Sequence, residues 1–251
     1  MASRKFLTQE KPMLTCMVQA KDPDRIKELI DLSRPEGAEA FGMQFCRMRA
    51  EYRNKETYKT LFEHASPQPT YVTNYRSHEN NGKSDDELAA ELIELAECGA
   101  TLCDVMGDYF DVCDGELTMN EEAVAKQMKL IDELHARGAE VLMSSHVLKF
   151  TPAERVLEIA LEHQRRGADI CKIVTEAKTM EEQIENLRMI NLLRENLKIP
   201  FLFLCGGKCH ILRRIGASLG NCMSLCVHEY DELATKVQPL LRDVKTIRDI
   251  L

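Results

Sequence analysis

The sequence predicts an α/β fold of the (β/α)8 barrel type, and three observations point to it. Eight short runs of apolar, β-branched, cysteine or methionine residues alternate with longer amphipathic stretches. A Gly-Ala-acidic phrase precedes or opens three of the runs, at Gly37, Gly138 and Gly167. The 251 residues divide into eight units of about 31 residues, the size of one strand–helix repeat in such a barrel. We therefore expect residues 1–251 to form a single barrel domain.

The short runs are the expected strands, because alternating strands and helices pair in parallel through right-handed crossovers. In chain order they are Met13–Val18, Ala38–Phe45, Thr70–Tyr75, Thr101–Met106, Glu140–Ser145, Asp169–Val174, Pro200–Cys205 and Met223–Cys226. A doubly wound open sheet is the structural alternative, but it requires a glycine-rich phosphate loop after the first strand. The residues from Val18 to Lys21 contain no glycine. Barrel active sites form at the carboxyl ends of the strands, so the residues that end each run are the functional candidates.

The longer stretches carry apolar residues at helical spacing and recognisable start signals. Asp22 caps the first expected helix, and Ser84 with Glu87 predicts a capping box before the third. Thr151 with Glu154 predicts a second capping box, after the fifth strand. Further helices are expected from about Glu121 to Arg137, from Met180 to Leu197, and in a segment ending at Leu251.

The composition excludes several classes of partner. The chain is 44% hydrophobic and 29% charged, which is typical of a globular domain, and its net charge is −8 without any long run of lysine or arginine. Nucleic acids and anionic membranes need clustered cations, so we expect a small-molecule partner. No apolar stretch reaches the roughly 18 residues of a membrane span, and residues 1–11 lack a signal-peptide core. A cytoplasmic protein is expected.

The ten cysteines are expected to be reduced thiols, because many of them lie within apolar runs, as Cys16, Cys205 and Cys226 do. Their spacing lacks the paired CxxC motifs of a zinc site. We therefore predict no metal site.

Lys172 lies in the sixth run, within Asp-Ile-Cys-Lys-Ile-Val. Burial disfavours the charged ammonium, so we expect an uncharged amine that forms an imine with a ketone and acts as an electron sink. His146 follows the fifth run, one strand away, where an imidazole can move protons near neutral pH. A solvent-reaching or structurally paired lysine, and a histidine bonded to a loop carbonyl, are the alternatives.

Two arginines are candidates for binding substrate oxygens. Arg76 directly follows the third run, at the end of the expected strand, and Arg213 lies beyond the seventh. Guanidinium groups bind carboxylates through two parallel hydrogen bonds. A solvated loop arginine is the alternative at both positions.

With these residues in place, the chain resembles the type I 3-dehydroquinate dehydratase family, the imine-forming dehydratases of the shikimate pathway. The motifs that carry the resemblance are Ser144-x-His146 with Thr151-Pro152, Ala168-Asp169-Ile170-x-Lys172-Ile173, and Ile211-x-Arg213-x-x-Gly216 with Leu219-Gly220. The resemblance implies that Lys172 is the imine lysine and His146 the proton-transferring histidine. It also implies that Arg213 holds the substrate carboxylate, that Arg76 is a second substrate arginine, and that Gln238 belongs to the loop that closes over the substrate.

The implied activity is that of a carbon–oxygen lyase that converts 3-dehydroquinate to 3-dehydroshikimate and water. It needs no metal or organic cofactor, acts on a small carboxylated ketone, and belongs to a homodimer. An imine-forming class I aldolase shares the enamine intermediate and is one alternative. A catalytically silent ligand-binding relative is another.

Several positions depart from the family pattern. After the second strand the family reads Glu-x-Arg-x-Asp, with the Glu and Arg on substrate hydroxyls, where this chain has Gly42, Gln44 and Cys46. Met106 replaces the fourth-strand carboxylate that orients the histidine, and Ala234 replaces a serine of the closing loop. A different keto acid or keto polyol is therefore an alternative substrate.

Asp108 is the expected replacement for the missing carboxylate. Strand side chains alternate, so Met106 and Asp108 face the same way if the fourth strand continues. Asp108 would then supply negative charge to His146. A solvated loop residue is the alternative.

Overall fold

The structure, a computed structural model, describes residues 6–8, 11–208, 211–234 and 236–251. Within these residues strands and helices alternate along the chain. The strands are β1 Met13–Met17, β2 Ala40–Gln44, β3 Thr70–Thr73, β4 Leu102–Met106, β5 Glu140–His146, β6 Ile170–Ala177, β7 Phe201–Gly207 and β8 Met223–Cys226. The helices are α1 Pro23–Glu36, α2 Lys55–Ala65, α3 Asp85–Cys98, α4 Glu121–Ala136, α5 Ala153–Arg165, α6 Met180–Asn196, α7 Leu212–Leu219 and α8 Leu241–Ile250.

The eight strands form one parallel sheet in the order β7-β6-β5-β4-β3-β2-β1-β8, which confirms the predicted (β/α)8 fold. The sheet curls until β7 and β8 meet at a seam. At the seam, the side-chain amide of Asn221 makes the hydrogen bonds that the backbone of a neighbouring strand would otherwise make. It donates to the carbonyl of Phe203 at 2.9 Å and accepts from the Phe203 N–H at 2.8 Å. Gly216 lies behind this amide, where a Cβ would come within 2.4 Å of its nitrogen. Asn221 thus joins the two end strands.

The local start signals are confirmed with one exception. Asp22 caps α1 by accepting from a backbone N–H at 2.9 Å, and Ser84 forms the predicted capping box at α3. The capping box predicted at Thr151 is wrong, because α5 begins directly after Pro152, which has no side-chain acceptor. The Thr151 hydroxyl donates to a loop carbonyl instead. A second capping box does form, at Thr179 before α6.

The barrel interior divides into an apolar half and a polar half. Towards the amino ends of the strands, the inward side chains are apolar: Met13, Ala40, Leu102, Leu142, Ile170, Leu202 and Met223. Towards the carboxyl ends, the buried set includes Tyr71, Asp104, Ser144 and Lys172. Polar groups are therefore gathered at the end of the barrel where active sites form.

Two further expectations concern thiols and membranes. The nine cysteines that the structure describes are free thiols. None of the helices in the described ranges is long and apolar enough to cross a bilayer.

Asn221→Ala is expected to lower the free energy of unfolding by about 2–4 kcal/mol, because it leaves a buried N–H and C=O of β7 unpaired. Urea denaturation followed by circular dichroism measures this loss. Asn191→Ala is the matched control, since the Asn191 amide bonds Glu195 on the exposed face of α6. Equal stability of the two variants would show that the seam does not depend on Asn221.

Candidate active site

Lys172 lies inside the barrel, not at its surface. β6 carries it between two buried strands, and only 4% of the residue is exposed. Its Nζ donates to the hydroxyl of Tyr75 at 2.6 Å and to that of Tyr71 at 3.0 Å, and lies 3.1 Å from Oδ2 of Asp104. The amine is therefore held by Tyr71 of β3, by Tyr75 just after that strand and by Asp104 of β4, and the solvent-reaching alternative is wrong.

Asp104 balances the charge of this lysine. Burial raises the pKa of the Asp104 carboxyl, but the charge of Lys172 and the hydrogen bond from Ser144 outweigh burial, so that the pKa lies below its usual range. Oδ1 accepts from Ser144 at 2.5 Å, while Oδ2 accepts from both tyrosines and from the lysine. The carboxylate is ionised and fully hydrogen-bonded.

Desolvation alone predicts an uncharged amine, but the structure adds a second effect. A carboxylate lies 3.1 Å from Nζ of Lys172, and an opposite charge at this distance acts against desolvation. The structural ion pair weighed as an alternative is present. The proton on Nζ must therefore leave before the nitrogen can attack a carbonyl.

Tyr71 and Tyr75 keep their protons. Burial raises the pKa of both phenols well above the usual value, and the neighbouring Asp104 carboxylate raises it further. Each hydroxyl can then accept from Lys172 and donate to Asp104. The phenols connect the cation and the anion through short hydrogen bonds.

His146 ends β5 on the same face as the lysine. Ser144 lies opposite Lys172 in the β5–β6 register, and His146 is two residues further along. The imidazole packs edge-on against the ring of Tyr75, with the ring centroids 5.2 Å apart. Tyr75 therefore contacts both the amine and the imidazole.

The carboxylate that holds His146 is Glu116. Its Oε2 lies 2.7 Å from Nδ1 of the imidazole and accepts from the His146 backbone N–H at 2.9 Å. Glu116 comes from the loop between β4 and α4 and has a positive φ of 49°. A carboxylate at Nδ1 fixes the orientation of the imidazole and leaves Nε2 for proton transfer.

Asp108 does not contact His146 in this way, which corrects the sequence hypothesis. Its Oδ1 accepts from Nη1 of Arg76 at 2.8 Å, and its Oδ2 accepts from a loop N–H. The loop turns after Met106 instead of continuing the strand, so the alternation rule does not extend to Asp108. It is nevertheless buried, so the solvated-loop alternative is also wrong.

Arg76 has no free donor for a substrate. All five N–H groups of its guanidinium have partners: two are on Asp85, two on Asp108, and one on the sulfur of Met106. The expectation that Arg76 contacts substrate is therefore not supported, because its donors hold α3 and the β4–α4 loop together.

Arg213, in contrast, lacks an anionic partner among the described residues. Its Nε donates to the carbonyl of Cys205 at 3.1 Å. Burial lowers the pKa of this guanidinium to about 10. A desolvated cation without a protein counter-charge is suited to an anionic ligand.

Residues 16–251 match the family model of type I 3-dehydroquinase. The chain belongs to this family. It is 31% identical over 111 residues to the 3-dehydroquinate dehydratase of Alkaliphilus oremlandii, a match that covers 43% of this chain and 42% of the relative. The enzyme of Geobacillus thermodenitrificans is 25% identical over 178 residues, with 70% and 64% covered. In both cases the match spans less than two thirds of the relative.

Solved structures agree on the fold. The 3-dehydroquinate dehydratase of Geobacillus kaustophilus superposes with a TM-score of 0.79 at 20% identity, covering 96% of this chain and 91% of that one. At this identity the likeness shows the architecture of the type I 3-dehydroquinase fold and nothing finer.

The remaining positions predicted from the family pattern lie around the barrel mouth. Gln238 accepts from the amide of Gln19 at 3.3 Å. Gln44 accepts from Arg47 at 2.8 Å, so its carbonyl oxygen has a protein partner. Met106, Cys46 and Ala234 are buried.

Several residues around Lys172 and His146 were not predicted from the sequence: Tyr71, Tyr75, Asp104 and Glu116. Ser144 was named only as part of the Ser144-x-His146 motif, without its bond to Asp104. Asp104 carried a usable signal, since an acidic residue interrupts the apolar run Leu-Cys-Asp-Val-Met of β4. Glu116 carried none, because a loop carboxylate 30 residues from the histidine has no periodic pattern.

A buried histidine supports the Glu116 loop from behind. Nε2 of His163 lies 2.9 Å from the hydroxyl of Ser145, which donates to the backbone carbonyl of Glu116 at 2.6 Å. Burial, followed by the charge of Arg166, lowers the pKa of His163 from 6.5 to about 3. The neutral imidazole is therefore part of the native structure.

Because the folded-state pKa of His163 is depressed, its contribution to stability is complete above pH 6.5 and declines as the pH falls toward 3. Between pH 7.5 and 5.0 we expect His163 to account for a loss of about 2 kcal/mol in the free energy of unfolding. Urea titrations at the two pH values measure the loss, and His163→Gln should reduce it. His135→Gln, at a partly exposed site, is the control, and equal pH dependence in all three proteins would contradict the assignment.

Proposed function

We propose that the chain is a Schiff-base-forming hydro-lyase, with conversion of 3-dehydroquinate to 3-dehydroshikimate and water as the reference reaction. The observation that carries the proposal is the buried amine of Lys172, held by Asp104 and Tyr75 beside His146. An amine inside a barrel with a proton-transfer group next to it has the two parts that imine chemistry needs. We also propose that residues 1–251 act as one catalytic barrel domain.

The proposed reaction begins at the substrate ketone. Lys172 gives up a proton and its Nζ bonds the carbonyl carbon, whose oxygen leaves as water to form an iminium ion. The positive charge that the ammonium carried is thereby restored on the same nitrogen. Asp104 stabilises this charge in both states, which favours the iminium ion.

His146 performs the proton transfers of the elimination. It removes a proton from the carbon next to the iminium, giving an enamine, and returns a proton to the β-hydroxyl, which leaves as water. A second water molecule then hydrolyses the iminium and frees Lys172. Acid–base help of this kind typically accelerates a step by about 10²–10⁴-fold. Glu116 acts through His146 by keeping Nε2 directed at the substrate.

Arg213 is proposed to bind the substrate carboxylate. Its guanidinium is desolvated and has no anionic partner in the described part of the chain. A carboxylated ketone would supply the missing charge and be oriented by it. Gln238, at the barrel mouth beside Gln19, is proposed to close over the bound substrate.

The protein is also proposed to be a homodimer in the cytoplasm, which the family resemblance supports. Three apolar side chains on α6, Met180, Ile184 and Leu187, are 41–63% exposed at helical spacing, which provides a face for a second copy.

Glu116→Gln is expected to lower kcat for dehydration by about 10²-fold with KM within about threefold, because His146 loses the carboxylate that fixes its orientation at Nδ1. Steady-state assays of enone formation measure both constants. Asp108→Asn is the informative comparison: it breaks an ion pair with Arg76 and should reduce thermal stability more than kcat. The opposite order of the two variants in kcat would reinstate Asp108 as the histidine partner.

Borohydride reduction during turnover of 3-dehydroquinate is expected to leave one covalent adduct, located on Lys172 by peptide mass spectrometry. Lys172→Met should abolish the adduct, and Lys149→Met, at an exposed lysine near the barrel mouth, should retain it. A product lighter by one water identifies the lyase, whereas a split carbon skeleton identifies the aldolase. No adduct with any keto acid would favour the silent binding relative.

A further inference from the structure

One wall of the site is built without charged side chains. Met17 lies opposite Gly42 in the β1–β2 register, and Gly42 lies opposite Tyr71 in the β2–β3 register. The Tyr71 hydroxyl is 3.0 Å from Nζ of Lys172, so this wall is next to the reacting amine. We call the surface formed by Met17, Gly42 and Met106 of β4 the methionine wall.

The structure leaves no empty space at Gly42 for a polar side chain. A Cβ at this position would lie 2.1 Å from the sulfur of Met17 and 2.8 Å from its terminal methyl carbon. The thioether therefore occupies the space that a side chain at 42 would need. The surface presented there is apolar and close-packed.

Arg76, the arginine that contacts this wall at Met106, is also withdrawn from any ligand. Nη1 of Arg76 lies 3.7 Å from the sulfur of Met106, and its remaining donors are bonded to Asp85 and Asp108. Among buried polar atoms of β3, the Thr73 hydroxyl has no partner in the described chain. Arg76 thus has no donor left for a ligand at this wall, and none of the three residues of the methionine wall carries a charge or a hydroxyl.

We infer that the site takes a β-hydroxy keto acid whose edge against the methionine wall consists of methylene groups instead of hydroxyls. This inference rests on the proposed function. The carboxylate faces Arg213, the ketone reaches Lys172, and the hydroxyl β to the ketone is the leaving group. Two hydroxyls pressed against thioether and glycine would lose hydrogen bonds to water without replacement, which disfavours a polyol.

The compound that isolates this feature is 1-hydroxy-3-oxocyclohexane-1-carboxylate, which has the ketone, the β-hydroxyl and the carboxylate of 3-dehydroquinate but not its two other hydroxyls. Its ketone oxygen leaves as water when the bond to Nζ forms. His146 takes a proton from the carbon between the ketone and the hydroxyl-bearing carbon, and the hydroxyl leaves with a proton as a second water. Hydrolysis of the iminium consumes one water and releases the conjugated enone.

The test compares kcat/KM of the wild-type chain for this deoxygenated ketone and for 3-dehydroquinate, followed by absorbance of the enone. We expect the deoxygenated ketone to be preferred by at least about tenfold, since an apolar pocket rejects an added hydroxyl by up to roughly 10²-fold. A preference for 3-dehydroquinate would overturn the inference. This comparison needs no variant and so does not depend on how a mutant folds.

A paired substitution then tests the wall itself. Met17→Ala with Gly42→Glu clears the thioether and introduces a carboxylate that can accept from hydroxyls, so the preference should shift toward 3-dehydroquinate by at least about tenfold. Met17→Ala alone is the matched control and should shift it less. An unchanged preference in the folded double variant would also overturn the inference.

Failure of the inference and failure of the proposed function are distinguishable by borohydride trapping in the same samples. If Lys172 is trapped and 3-dehydroquinate is preferred, the imine function holds and the methionine wall does not select the substrate. If neither ketone is trapped, the proposed function fails and the inference fails with it.

Discussion

The ion pair between Lys172 and Asp104 is the constraint on which the rest of the site depends. Both residues are buried, and a buried charge without its partner would cost about 3–5 kcal/mol. The barrel meets this cost by surrounding Asp104 with four donors and Lys172 with three acceptors. The charges of Lys172 and Asp104, two phenols and a serine hydroxyl thus form one connected network, and each member restricts where the others can lie.

This network suits imine chemistry because the charge on the lysine nitrogen is the same before and after the covalent bond forms. Ammonium and iminium both carry one positive charge, so Asp104 keeps its partner in each state. The attack on the carbonyl needs the uncharged amine, so the proton of the ammonium needs a route away from Nζ. Tyr75, which contacts the amine, the carboxylate and the imidazole, lies where such a route would run.

A second network holds the histidine side of the site. Arg166, almost fully buried, donates to the carbonyl of Gly107 and to the amide of Gln127, which fixes the start of the β4–α4 loop. Ser145 and His163 hold the backbone of the same loop at Glu116. A carboxylate on a loop can orient an imidazole only if the loop is rigid, and these buried bonds supply the rigidity.

The sequence by itself determined the barrel. Short apolar runs that alternate with amphipathic ones bury their apolar surface when the runs pair as parallel strands and the amphipathic helices cover them. It also placed Lys172 and His146 on adjacent strands, since strand order follows chain order. Only the tertiary structure decided the partners: Asp104 for the lysine, Glu116 for the histidine, and Asp85 with Asp108 for Arg76. These contacts join residues from different strands and loops, and desolvation, hydrogen bonding and charge pairing depend on three-dimensional distances that no local pattern encodes.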